Sequence, residues 1–283
     1  MSQPSTADPS PRPSAPQEAQ FQPFRRIDGA TASGLLIVAD HASNALPADY
    51  GTLGLPPAEL ARHIAYDIGV GPLTEALAAR LGCPAVLAGF SRLLIDPNRG
   101  DDDPTLIMRI SDGAVVPGNA GVGPQERACR LKRFWQPYSN AIEAAIDAGF
   151  VDRQPPILVS LHSFTPVWRG WPRPWHCGIL WDNDPRLPQA LLARLAADPA
   201  LVVGDNEPYG GALSGDTMFR HATSRGLAHA IIEIRQDLLA DDAGIAEWTE
   251  RLAPMLGELA GDTEMHDIRM YGSRTGPVPA LGS

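Results

Sequence analysis

The chain has 283 residues, 44% of them apolar, and a formal net charge of −10, a profile that suits a globular protein with a sizeable core. That acidity, without a dense Lys/Arg tract, argues against a nucleic-acid surface, although a local Arg pocket can still receive a small anion. No run approaches the ~18 uninterrupted apolar residues of a membrane span, and the polar, Pro-rich start lacks the basic and apolar regions of a signal peptide.

Residues 1–23 are rich in Pro, Ser, Gln and Ala and are expected to form a disordered tail. A single α/β domain is expected over 24–263, with a loose end from 264 to 283. Short apolar runs at 35–39, 84–88, 92–95, 157–161, 178–181, 201–203 and 229–234 read as strands. Helical patterns lie between them at 57–66, 71–81, 124–148, 185–197, 215–225 and 241–259. Pro56-Pro57 opens the first helix, and Gly82 closes the second after Arg80. Most runs are continuous rather than alternating, as in strands covered on both faces. The fold class is therefore three-layer α/β/α with a mixed, mostly parallel sheet. Cys83, Cys129 and Cys177 are isolated, with no CxxC spacing, and read as reduced thiols of a cytoplasmic protein.

Sheets of this kind place chemistry beyond the carboxyl ends of strands. Run 35–39 ends in Asp40-His41, run 92–95 in Asp96-Pro97-Asn98-Arg99, and run 157–161 in His162-Ser163; run 229–234 carries Glu233. Two neutral imidazoles from separate strands suit a divalent metal, and a catalytic zinc takes a third protein ligand, a carboxylate or another His. An acid that does not bind the metal can deprotonate water, and Glu233 suits that task. An unpaired carboxylate inside an apolar strand is costly, so Glu233 must otherwise pair with an Arg or reach solvent. Arg99 can hold a substrate carboxylate in a bidentate fork or steady an oxyanion. His176, His221, His229 and His266 read as ordinary hydrogen-bonded residues. No G-x-S-x-G elbow and no G-x-G-x-x-G follow the strands, which disfavours serine hydrolysis and dinucleotide binding.

The set "VADHASNALP", "HIAYDIGVGPL", "SRLLIDPNR", "LHSFTPVW", "DNEPYGG" and "IEIRQDLL" resembles the N-formylglutamate amidohydrolase family, in the same order, from about residue 34 to about residue 260. That family is similar to zinc carboxypeptidases and aspartoacylase-type deacylases. The resemblance implies a phosphorylase/hydrolase-like α/β/α fold and a Zn2+-dependent amide hydrolase. It implies His41 and His162 as metal ligands, Asn98 and Arg99 as holders of the substrate carboxylate, Glu233 as general base and acid, and Arg92 as a group that polarises the scissile carbonyl. It implies a small anionic N-acyl amino acid as substrate, N-formyl-L-glutamate giving L-glutamate and formate, a closing step of histidine breakdown. The wider pattern reads His-x-x-Glu, whereas this chain has Asn44 three residues after His41, and a neutral amide is a poor zinc ligand. Asp67 is the preferred third ligand, with the alternative that it orients a ligating His; Asp40 is a weaker candidate. His63 and Asp67, four apart, share a face if that segment is helical.

The Gly-rich stretch 204–218 reads as a loop over the site, with Tyr209 as a hydrogen-bond donor to substrate, or as an ordinary turn. The stretch 163–178 gathers three Trp and two Arg residues, as a pocket wall or a Pro-rich surface loop. Rival readings are another N-acyl-amino-acid deacylase, a small carboxypeptidase, or a metal-free binding protein that keeps the fold.

Overall fold

The uninterrupted apolar run Leu35–Ala39 forms β2, and all five of its residues are buried. It lies near the middle of a seven-stranded sheet. The computed structural model describes residues 21–151 and 154–278, so all but the last three residues of the tail expected over 1–23 fall outside them. In chain order the strands are β1 (Phe24–Ile27), β2, β3 (Ala85–Ala88), a small ribbon of β4 (Ile110–Ser111) and β5 (Ala114–Val115), β6 (Ile157–Phe164), a second ribbon of β7 (Val167–Trp168) and β8 (Trp171–Pro172), β9 (Cys177–Leu180), β10 (Val203–Asp205) and β11 (His229–Arg235). The large sheet runs β1-β3-β2-β6-β11-β9-β10. Its central strands β3, β2, β6 and β11 are parallel, while β1 and the β9–β10 pair run against their neighbours β3 and β11.

Helices cover both faces. α2 (Val70–Leu81), α5 (Arg186–Ala196) and α7 (Asp242–Ala260) pack Leu73, Leu77, Leu191, Trp248 and Leu252 against Ile37, Val159, Leu161, Ile232 and Ile234. On the other face, α3 (Pro124–Arg130) passes through a π-helical turn, Leu131–Trp135, into α4 (Gln136–Val151). Tyr138 and Ile142 of α4 meet Leu36, Val38, Leu158 and Ile231 there. Side chains along a strand alternate between faces. Asp40, two residues beyond Val38, therefore joins Ser160, His162 and Glu233 on the α4 face, at the carboxyl ends of β2, β6 and β11. The registers align them: Val38 lies opposite Ser160, and His162 lies opposite Glu233.

Three predicted elements are corrected. Residues 92–95 form a buried turn rather than a strand: the Leu93 carbonyl accepts from Asn119 Nδ2 and the Leu94 carbonyl from Arg130 Nη1, both at 2.8 Å. Side chains thus take the acceptors that a sheet ladder needs. The helix expected over 57–66 is only α1 (Pro57–Leu60). The Ala65 carbonyl accepts from Ser91 Oγ (2.8 Å) and from the Arg92 N–H (3.2 Å), while the Asp67 N–H donates to the His41 carbonyl (2.9 Å). His63 and Asp67 consequently do not share a helical face; His63 Nε2 lies 3.3 Å from Asp112 Oδ2. The predicted helix 215–225 is α6 (Thr217–His221) followed by a 3-10 turn, Thr223–Arg225.

Within the segment expected to be loose from residue 264, contacts with the rest of the domain extend to Arg274. Met265 is buried, His266 bonds the carbonyls of Pro155 and Ala260, and Arg274 pairs with Asp182. The cysteines are free thiols, Cys83 and Cys177 buried. No helix among the described residues is long and apolar enough to cross a membrane.

Candidate active site

The strand ends bring His41 and His162 together edge to face, with ring centroids 5.0 Å apart. Both Nδ1 atoms turn to one acceptor, Asp67 Oδ2, at 3.3 Å from His41 and 2.9 Å from His162. One ligand atom from each of the three buried residues lies within 4.8 Å of the others. The far nitrogens are held as well: His41 Nε2 lies 2.8 Å from Asp96 Oδ1, and His162 Nε2 lies 3.2 Å from Asp40 Oδ2. Asp40 also accepts from Tyr138, Ser160 and Thr217, so it serves as a buried brace rather than the third member of the group. Asn44 is exposed and donates to the Leu60 carbonyl.

The buried carboxylates around His41 and His162 outweigh burial and raise both imidazoles above the ordinary histidine value. Asp40, Asp67 and Asp96 are buried beside the imidazoles, and the cluster's guanidinium contacts come from Arg92, 2.8 Å from Asp96 Oδ2 and 3.4 Å from Asp67 Oδ1, and more loosely from Arg99, 4.0 Å from Asp96. Burial works to raise the Asp67 carboxyl, but the charges and hydrogen bonds of His41 and His162 outweigh it and hold it well below the usual carboxylate range. Asp96 is likewise lowered, as Arg92 and His41 overcome its burial. Glu233 behaves oppositely. Burial pushes it up to about 7 despite the nearby His162, and its Oε2 is buried without a hydrogen-bond partner.

A cleft of about 730 Å³ opens over this cluster. His41, Asp67, His162 and Glu233 line it together with Arg92, Asn98, Arg99 and Tyr209, whereas Asp40, the weaker ligand candidate, does not reach it. Asn98 Oδ1 accepts from the Thr217 N–H at 3.0 Å. That bond orients the amide and leaves its NH2 to donate. The Asn98–Arg99 turn abuts the start of α6 because Gly100 meets Gly215, whose φ of +73° suits glycine. Trp168 and Arg169 of the β7–β8 ribbon also line the cleft, whereas Trp171 is exposed. The bracing roles of Asp40 and Asp96 and the Thr217 contact carry no signal in the sequence spacing.

The sequence model of the N-formylglutamate amidohydrolase family matches residues 33–240. The chain belongs to that family. Membership makes this N-formylglutamate amidohydrolase relative a hydrolase of an amide bond. A crystallised gene product of Agrobacterium tumefaciens is 33% identical, with a TM-score of 0.79 over 86% of this chain and 96% of that one. The N-formylglutamate amidohydrolase of Ralstonia eutropha is 22% identical, with a TM-score of 0.66 over 86% of this chain and 98% of that one, and shares the fold. No curated protein matches the chain.

Proposed function

We propose that the protein hydrolyses N-formyl-L-glutamate, or a closely related N-acyl amino acid, with a zinc ion held by His41, Asp67 and His162. The observation that carries this reading is the convergence of both Nδ1 atoms on Asp67 Oδ2, beside the unpartnered Oε2 of Glu233. The donor set fits zinc: two imidazoles and one carboxylate are a catalytic ligand set, and each imidazole's other nitrogen rests on a carboxylate, which fixes ring orientation and raises ligand basicity.

A bound zinc supplies Lewis acidity, lowering the pKa of water and polarising a carbonyl. The chain's own groups do the rest. Glu233 Oε2 accepts a proton from the attacking water and returns it to the leaving amine nitrogen as the C–N bond breaks, giving formate and the free amino acid. Its elevated pKa near 7 lets it serve both steps near neutral pH. Arg99 takes the substrate's α-carboxylate, and the Asn98 amide donates a further hydrogen bond. Arg92 adds positive potential where the oxyanion develops, and Tyr209, which lines the same cleft, donates a hydrogen bond to the substrate.

The test measures metal content and N-formylglutamate hydrolysis on the same samples of wild type and His162→Ala. About one zinc per chain, lost together with turnover in the variant, is the expected result. Zinc without turnover moves the substrate to other N-acyl amino acids, and a series of acyl chain lengths then identifies it. No metal after reconstitution overturns the mechanism.

A further inference from the structure

We infer that Arg173 is a positioning residue that turns the Tyr209 hydroxyl into a fixed donor facing the cleft; the inference rests on Tyr209 acting on substrate as proposed above. Arg173 is only 9% exposed. It stands at the end of the β7–β8 ribbon, which reverses at Arg169 (φ +50°) and Gly170 (φ +83°), the left-handed pair of a tight hairpin turn. The Arg173 N–H closes that ribbon on the Pro166 carbonyl at 2.8 Å. Its Nη1 donates to Tyr209 Oη at 3.0 Å and to Thr165 Oγ1 and O at 3.3 and 3.4 Å. The guanidinium also sits 4.9 Å from the Tyr209 ring centroid, 5.4 Å from that of Trp168 and 5.7 Å from that of Phe164. Tyr209 lines the cleft, whereas Arg173 stands behind it.

The hydrogen-bond inventory gives the direction. A guanidinium only donates, and a phenol has one proton. With Tyr209 Oη accepting from Arg173, the Tyr209 proton is left for an acceptor on the cleft side. A charged donor also polarises the phenol and strengthens the bond it makes onward. The cation–π contacts on three rings restrain the guanidinium, and the orientation is built before substrate arrives.

The experiment compares wild type, Arg173→Gln, Arg173→Met, Tyr209→Phe and the Arg173→Met/Tyr209→Phe double variant. It uses the zinc-loaded full chain and N-formylglutamate, or whichever N-acyl amino acid the wild type hydrolyses. Tyr209→Phe and Arg173→Met are each expected to lower kcat/KM about tenfold, the worth of one hydrogen bond to substrate. The double variant should be no worse than Tyr209→Phe, and Arg173→Gln, which keeps an N–H donor, should recover part of the loss. Multiplying losses in the double variant, or an Arg173→Met with wild-type kinetics, overturns the inference. A second readout needs no turnover: tyrosinate absorbance, taken as the difference between each protein and its Tyr209→Phe counterpart, should show the Tyr209 phenol ionising at higher pH in Arg173→Gln than in wild type. An unmoved titration overturns the inference even if Arg173→Met does not fold. A moved titration without N-formylglutamate turnover keeps it and rejects only the proposed substrate.

Discussion

Glu233 sits inside an apolar strand with a buried Oε2 that has no hydrogen-bond partner. A carboxylate in that position costs stability, a cost that a catalytic proton acceptor accounts for. Glu233→Gln keeps the shape and removes the base. Turnover is expected to fall about 10²–10⁴-fold, while zinc content stays at the wild-type level because Glu233 lies outside the ligand group. Stopped assays on metal-quantified samples check it; equal loss of zinc and activity would make Glu233 a ligand instead. His41, His162 and Glu233 were legible in the sequence because each interrupts or ends an apolar run. The roles of Asp40 and Asp96 were not. Each rests on a nitrogen of an imidazole 122 or 55 residues away, a contact set by strand register and loop path rather than by local pattern.

Among the elements, the continuous runs read correctly where both faces of a strand are covered, as in β2, β6 and β11. The same apolar signal misled at 92–95, because a buried turn whose carbonyls are capped by Asn119 and Arg130 looks identical in one dimension. The 57–66 segment stops short as well: beyond Leu60 the chain turns so that the Ala65 carbonyl accepts from Ser91 Oγ and the Arg92 N–H. Both failures lie where chain segments are bent to carry Asp67, Arg92 and Arg99 into the cleft. The contact between Gly100 and Gly215 is part of that bending, and a Cβ added at Gly215 would come within 2.8 Å of Gly100 Cα at a φ of +73°. Gly215→Ala is therefore expected to cost roughly 1–3 kcal/mol of stability from backbone strain, and to raise KM by pushing Asn98 and Arg99 off their positions. Gly82→Ala, at a φ of +63° with nothing within 4 Å and outside the cleft lining, carries the conformational strain alone and should leave KM unchanged. Melting curves and steady-state kinetics on the pair separate the two effects; equal KM values would remove the glycine contact from substrate positioning.

At the scale of the whole molecule, acid stability follows from which buried groups must change charge. His221, at the end of α6, is buried against α4, with Nε2 3.0 Å from Ser139 Oγ. Burial, with Arg220 and Arg225 nearby, pushes its imidazole down to about 3, against an ordinary value near 6.5. Between those values the unfolded chain binds the proton and the folded chain does not. Stability from this residue is thus complete above about pH 6.5 and lost as pH falls toward 3. Asp216 opposes it: burial raises its carboxyl to about 7, so the folded chain holds that proton and stability falls as pH rises from about 4 to 7. The two slopes offset each other in the wild type, and a single pH profile would hide both. The difference between His221→Gln and wild type isolates the imidazole, since Asp216 is common to both proteins. On acidification from pH 6.5 to 4.5, the variant should gain on the wild type by up to about 1.4 kcal/mol per pH unit, the limit for one proton. Denaturant unfolding at several pH values measures this difference directly. A constant gap between the two proteins would mean that His221 is protonated in the folded chain, and that the contact joining α6 to α4 is a charged one.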